Sequence, residues 1–296
     1  MIVDVHTHTP THREAVPADE MVVNTAWRPD RPVNATSTWA EYAHAFDAAG
    51  VDVSITCLIA AGRDQTGLPV NLARINDLTA EFVADAPARR IGFASVHPDA
   101  PGAIEELERS VGDLGLRGIK LGPNYQDFEP LSPSALRLYG WAEEHRLPIL
   151  FHQGTSPIRA APLRYAHPLV MDEVAIRFPD LRIVMAHLGH PWQADTVTVI
   201  RKHPNVYADV SANFYRPWSF YSAMRIATEW NVLDKLLLGS DYPITTPAET
   251  IAGMYALNDI PRRSGLPEIP EDRLEAIIHR DSLALLGLQA PAARSA

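Results

Sequence analysis

Five side chains in this 296-residue chain stand where they could together hold a metal ion or move a proton: His6, His8, His152, His187 and Asp241. His6 and His8 stand two residues apart in "MIVDVHTHTP", at the end of an apolar run. Side chains two apart on an extended strand project from the same face. Neutral imidazoles and carboxylates are ligands for Zn²⁺ and similar divalent ions. Two histidines alone carry little weight, so the question is which elements bring the other three to the same place.

The apolar residues recur in eight short runs, over 1–6, 51–60, 90–97, 116–122, 147–154, 181–189, 205–211 and 235–241. Each is too short for a helix and too continuously apolar for a strand wetted on one face, which is the pattern of parallel strands buried on both faces. Amphipathic stretches alternate with them, at 38–50, 71–87, 102–115, 132–145, 168–178, 192–203, 218–231 and 247–258. Ser132 and Pro133 form a cap and first-turn pair, and Gly50 stops the first helix. Eight strand–helix units with right-handed crossovers make a barrel or an open doubly wound sheet. No G-x-G-x-x-G follows any strand, so the expected fold class is α/β, a (β/α)₈ TIM barrel. One domain is expected over 1–288, with a further helix in "EDRLEAIIHRDSLALLG" and a disordered tail at 289–296. Residues 9–37 are too long for a connector and are read as a lid or a wall of the site.

In such a barrel the chemistry sits at the C-terminal ends of the strands. The first run ends at His6-Thr7-His8, the third at His97, the fifth at His152, the sixth at His187 with His190 three residues on, and the eighth at Asp241. The chain has twelve histidines, and their crowding at strand ends is what lifts these above ordinary polar residues. His6, His8 and His152 supply three nitrogens for one ion, and Asp241 supplies an oxygen within reach of a bound water. That set leaves the open coordination position a catalyst needs.

The segments "DVHTH", "ILFHQG", "IVMAHLGH" and "LLGSDYP" resemble, in order and over nearly the whole chain, the signature of the amidohydrolase superfamily. The nearest resemblance is to its second amidohydrolase family, which includes aminocarboxymuconate-semialdehyde decarboxylase, resorcylate-type decarboxylases and lactonases. The resemblance implies one divalent ion, with Zn²⁺ expected and Mn²⁺ the alternative. It implies His6, His8, His152 and Asp241 as ligands, and Asp241 and His187 as catalytic groups. Binuclear relatives often carry a carbamylated lysine on strand four. Here Lys120 stands on that strand in "GIKLGP", one of only three lysines, and is read as a carbamate, a partner for a substrate anion or a structural ion pair.

The remaining rim residues suggest the substrate. Arg63, Arg159, Arg164 and Arg216 follow strands two, five and seven, and guanidinium groups suit carboxylate recognition. Tyr125, Phe214, Tyr215 and Trp218 offer planar walls. The expected reaction is attack of a metal-activated water on a carboxylate-bearing lactone, ester or amide, and the alternative is non-oxidative decarboxylation of an aromatic or muconate-type acid at the same site. A metal-binding protein without catalysis and a Schiff-base barrel using Lys120 are weaker readings. A formal charge of −10, from 36 acids against 26 bases, argues against nucleic acid and anionic membranes as partners. The partner is a small-molecule carboxylate, with a homodimer the assembly to test. The single cysteine, Cys57, lies in a buried-strand pattern and fits a reducing compartment, so a cytoplasmic location is expected.

Overall fold

The computed structural model describes residues 1–10, 28–33, 35–71 and 73–291. Eight parallel strands follow one another: β1 (Val3–His8), β2 (Val53–Cys57), β3 (Arg90–Phe93), β4 (Ile119–Leu121), β5 (Ile149–Phe151), β6 (Ile183–Met185), β7 (Val206–Asp209) and β8 (Leu236–Leu237). Their ladders form two runs, β1-β2-β3 and β4-β5-β6-β7-β8. Hydrogen bonds outside the ladders join the runs at both seams. Lys120 N donates to Ala94 O at 2.7 Å, and Val5 N donates to Leu238 O at 2.9 Å. This is the expected TIM-barrel architecture. At the first seam Gly118 lies against Phe93, and a Cβ there would come within 2.5 Å of the ring.

Helices α1 (Trp39–Ala48), α2 (Ala73–Asp85) and α3 (Ala103–Gly112) follow the first three strands, and a single turn α4 (Pro123–Gln126) precedes α5 (Pro133–Glu144). Then come α6 (Val170–Arg177), α7 (Gln193–Lys202), α8 (Pro217–Glu229), α9 (Pro247–Tyr255), α10 (Asp259–Ser264), α11 (Glu271–Ile278) and α12 (Ser282–Leu285). The caps follow the sequence: Ser132 Oγ accepts from Ala135 N, and Thr38 with Glu41 forms a capping box. The expected C-terminal helix is two, α11 and α12, because Asp281 interrupts it and caps α12 by accepting from Ala284 N. Of the expected lid at 9–37, residues 11–27 and 34 lie outside the described residues, as do 292–296 of the expected tail. Arg28, which follows the first gap, is buried. It donates to Asp30 and Glu249 and lies 5.2 and 4.9 Å from the centres of the Phe214 and Tyr215 rings. Among the described residues no helix is long and apolar enough to cross a membrane.

Strand side chains alternate between the interior and the helix layer, and both faces of each strand are dry. Val3, Val5, Ile55, Leu150, Val184 and Leu237 fill the interior cluster, while Ile119, Ile149, Ile183 and Val206 pack with the helices. Cys57 is fully buried in the interior cluster, as its strand pattern implies.

Asp4 is one of the charged residues that break this apolar rule. It is fully buried, and its Oδ1 accepts from His6 N at 3.1 Å and Ser240 N at 3.0 Å, tying β1 to the segment after β8. Its Oδ2 has no partner, and burial pushes the carboxyl up to about 7. Removing both acceptor oxygens would orphan two buried N–H groups. Asp4→Ala should therefore cost about 2–3 kcal/mol of unfolding free energy in urea titrations of the metal-free protein. Asp4→Asn, which keeps the acceptor, should cost clearly less. Equal losses for the two would mean that the acceptor does not hold this seam.

Candidate functional site

The expected residues meet where the strands end. His6 is fully buried on β1, and His8 is the last residue of that strand. The register between β1 and β2 slips between Asp4 and Thr7, which re-aims the end of β1 toward the centre. His152 follows β5 directly. His187 lies past β6 in a 3₁₀ turn, not at the end of a strand as the sequence suggests, and its backbone is left-handed at φ 59°. Asp241 stands four residues past β8, also left-handed at φ 63°, with its N–H donating to His6 O at 2.8 Å.

His8 Nε2 is 3.0 Å and His6 Nε2 3.6 Å from Asp241 Oδ1, so two nitrogens and one oxygen already converge. The His6 and His187 ring centres are 5.0 Å apart, as are those of His152 and His187. His152 Nε2 is buried and has no hydrogen-bond partner. A buried nitrogen lone pair left unsatisfied beside two imidazoles and a carboxylate fits a divalent cation better than any further hydrogen bond. Burial, followed by the neighbouring Lys120 charge, holds His6 and His152 well below the usual imidazole range. Burial, then His6 and His152, does the same to His187. These three are neutral and available as donors of electron pairs. In His8 burial works downward, but its hydrogen bonds to Asp241 and Cys57 outweigh it and raise the ring to about 9.

Lys120 reaches the same cluster. It is buried, and its Nζ lies 2.9 Å from His6 Nε2. Among the described residues no carboxylate lies within ion-pair distance of Nζ, and its one hydrogen-bonding contact there is His6. Its amine instead shares the lone pair that His6 would give a metal.

The rim opens into a cavity of about 680 Å³. His6, His8, Lys120, His152, His187, His190 and Asp241 line its floor, and Arg63, Tyr125, Tyr215 and Arg216 line its walls, with Ala35 from the expected lid segment. Tyr125 packs on His152 at 4.5 Å between rings, and burial pushes its phenol up. Arg216 lies over the Tyr215 ring at 4.6 Å and gives one hydrogen bond to Ala212 O. Its charge, after burial, helps hold His190 down to about 4. Arg63 reaches the wall, but its guanidinium is bound to Gly67 O and Gln126 O.

Arg159 and Arg164 do not line the cavity. Both are exposed, and Arg164 folds back over Tyr165. Phe214 and Trp218 also face elsewhere, and Trp218 is exposed. His97 is satisfied away from the cavity, donating from Nε2 to Gln126 O and accepting from Asp99 N.

Two polar residues near the centre are absent from the sequence-derived set. Asn124 opens α4, lines the cavity, and has both amide atoms buried without a partner. Asp209 ends β7 and is fully buried behind His6. The clue to Asp209 was a carboxylate inside the otherwise apolar "NVYADVS", where burial demands a partner. Nothing in the sequence singles out Asn124.

A parallel barrel whose His-rich, Asp-bearing rim could hold a metal ion is the arrangement this chain presents. The chain belongs to the amidohydrolase family, whose model matches residues 3–288, and it is an enzyme of that superfamily. Solved structures of similar fold agree. The 5-carboxyvanillate decarboxylase of Sphingomonas paucimobilis superposes with a TM-score of 0.68 at 18% identity, covering 97% of this chain and 99% of that one. A dihydroxybenzoic acid decarboxylase of Polaromonas sp. JS666, with bound manganese and 2-nitroresorcinol, gives 0.66 at 18%, covering 97% and 96%. An amidohydrolase of Burkholderia multivorans with bound zinc gives 0.65 at 14%, covering 98% and 100%.

The donor set makes a direct prediction. Metal analysis of the purified protein should find about one divalent ion per chain. His152→Ala, which removes the orphaned nitrogen, should weaken binding roughly tenfold or more. Unchanged affinity in that variant would take His152 out of the ligand set.

Proposed function

We propose that this enzyme is a metal-dependent hydrolase of a small carboxylate-bearing lactone, ester or amide. His6, His8, His152 and Asp241 would hold one divalent ion, Zn²⁺ before Mn²⁺ because three imidazoles and one carboxylate suit zinc. Such an ion, when bound, supplies Lewis acidity and a water acidified toward neutral pH.

The chain's own groups do the rest. Asp241 reaches the cluster through Oδ1, and its carboxylate can accept a proton from the attacking water. His187, neutral and buried, faces the same point and can accept a hydrogen bond that orients the attacking water, while Asp241 passes the proton it has taken to the leaving oxygen or nitrogen. Tyr125 covers His152 and helps keep bulk water off the reacting face. Lys120 can meet an anionic oxygen of the substrate beside His6.

The position of Arg216 carries the choice of hydrolysis. His190 stacks on His187 at 5.3 Å between rings, and Arg216 acts on His190 from the cavity wall. A carboxylate bound to Arg216 would lie at the cavity wall beside His190, with the ligand cluster at the floor. It serves as a handle and not as the group that reacts. Decarboxylation is the second reading, and it is favoured by the decarboxylases among the similar folds. It would need the carboxylate at the cluster itself, beside Lys120.

The test is an assay of the metal-loaded protein on carboxylated lactones and on hydroxybenzoates, following ring opening and CO₂ separately. Ring opening without CO₂ is expected, and CO₂ release from hydroxybenzoates without ring opening would overturn the hydrolase reading. Asp241→Asn should lower kcat by roughly 10²–10⁴-fold, the usual worth of a positioned acid–base group. Arg216→Met should chiefly raise KM, about tenfold or more, for loss of a charge-assisted hydrogen bond of about 1.5–3 kcal/mol. An equal fall in kcat with KM unchanged would place Arg216 at the reacting group instead.

A further inference from the structure

Asp209 joins two imidazoles that the sequence places 181 residues apart, His6 and His187. Its Oδ2 lies 3.0 Å from His6 Nδ1. Its Oδ1 accepts from His187 N and Ser211 N, each at 3.0 Å, and from the Ser211 hydroxyl. Ser211 Oγ in turn lies 2.7 Å from His187 Nδ1. Asp209 and Ser211 are both fully buried, so no bulk water competes for these groups.

Proton counting fixes the directions. A carboxylate only accepts, and a serine hydroxyl has a single hydrogen. That hydrogen goes to Asp209 Oδ1, so Ser211 Oγ meets His187 as an acceptor and His187 Nδ1 carries the proton. By the same rule His6 Nδ1 carries a proton toward Oδ2. Each ring then has its lone pair on Nε2.

The backbone is shaped for this arrangement. His187 sits at φ 59° and ψ 24°, the left-handed region that a residue with a Cβ ordinarily avoids. The turn aims its N–H at Asp209, while Asn213 Nδ2 donates to His187 O at 3.0 Å. Gly239 gives Asp209 its room. A Cβ there would lie 3.1 Å from the Cβ atoms of both Asp209 and His6.

We propose that Asp209 is a positioning residue that sets both His6 and His187 as the Nδ1–H tautomer, directing Nε2 of each into the cavity, and that it is not a metal ligand. The atoms of His6, His187 and Asp209 do lie close enough together to hold an ion of their own. That ion, held beside Oδ2, would take Nδ1 of His6 in place of its hydrogen bond to Asp209. The Nε2 proton left behind would point at Lys120 and Asp241, where a lone pair is needed. The consequence for metal affinity rests on the proposed function, whereas the tautomers do not.

The experiment is ¹H–¹⁵N correlation of imidazole nitrogens in ¹⁵N-histidine-labelled, metal-free protein at mildly alkaline pH, with the signals assigned through His6→Gln and His187→Gln. Both rings should show a protonated Nδ1 and a bare Nε2. In Asp209→Asn the amide turns a donor toward His6, which should move to the Nε2–H form, and affinity for Zn²⁺ should fall roughly 10–100-fold at unchanged stoichiometry. Ser211→Ala should release the tautomer of His187, while His6, whose Nδ1 lies 3.4 Å from Ser211 Oγ but 3.0 Å from Asp209 Oδ2, keeps its own and Zn²⁺ affinity stays as in the parent. If Asp209→Asn fails to fold, the parent and Ser211→Ala spectra decide the matter. Protonated Nε2 on either ring of the parent overturns the proposal. So does parental Zn²⁺ affinity in a folded Asp209→Asn, or a second ion per chain that this variant loses. A parent that shows the expected tautomers but binds no divalent ion would overturn the proposed function and leave the tautomer assignment standing.

Discussion

The barrel rim depends on burying several imidazoles side by side without letting them charge. A lone buried histidine is neutral because burial penalises the cation. Here each ring also faces other rings and Lys120, so His6, His152 and His187 are all held well below their ordinary range. Their lone pairs then point at one another's neighbourhood with too few protons to satisfy them. The strand ends bear that strain because each is fixed by a parallel ladder and packed helices. A divalent cation would satisfy these lone pairs together, as the Lys120 amine beside His6 Nε2 satisfies one of them.

The barrel was legible from the alternation of buried apolar runs and amphipathic stretches; seven of the eight strands fall inside the runs read from sequence, and β1 extends two residues past its run, to His8. Those seven are shorter than their runs because the run counts buried residues, whereas a ladder needs backbone pairing. "LRIVMAHLG" is apolar through its length, but only Ile183–Met185 pairs. The following residues turn left-handed, and periodicity carries no signal for that. The single C-terminal helix divides for a local reason: Asp281 caps a new helix more readily than it continues the old one.

The histidine cluster was legible because strand ends in such barrels share a rim, so position along the chain predicts position in space. The substrate wall was not. Arg63, Arg159, Arg164 and Arg216 look alike in sequence, yet only Arg63 and Arg216 reach the cavity, and Arg63 is engaged by backbone carbonyls. Loops decide which way a long side chain points, and loop course is not written in residue type. Asn124 escaped notice because an amide after "KLGP" has no distinguishing context. The two buried carboxylates inside strands, Asp4 and Asp209, were the readable signals passed over, since charge in a dry strand demands donors.

The central claim is that one divalent ion sits where His6, His8, His152 and Asp241 meet. Anomalous X-ray diffraction at the zinc edge, on crystals of the Zn²⁺-loaded protein, tests it most directly. The account predicts one strong peak per chain, within about 2.0–2.2 Å of Nε2 of the three histidines and of a carboxylate oxygen of Asp241. A peak held instead by Asp209 and His187, or none at the rim, would contradict it.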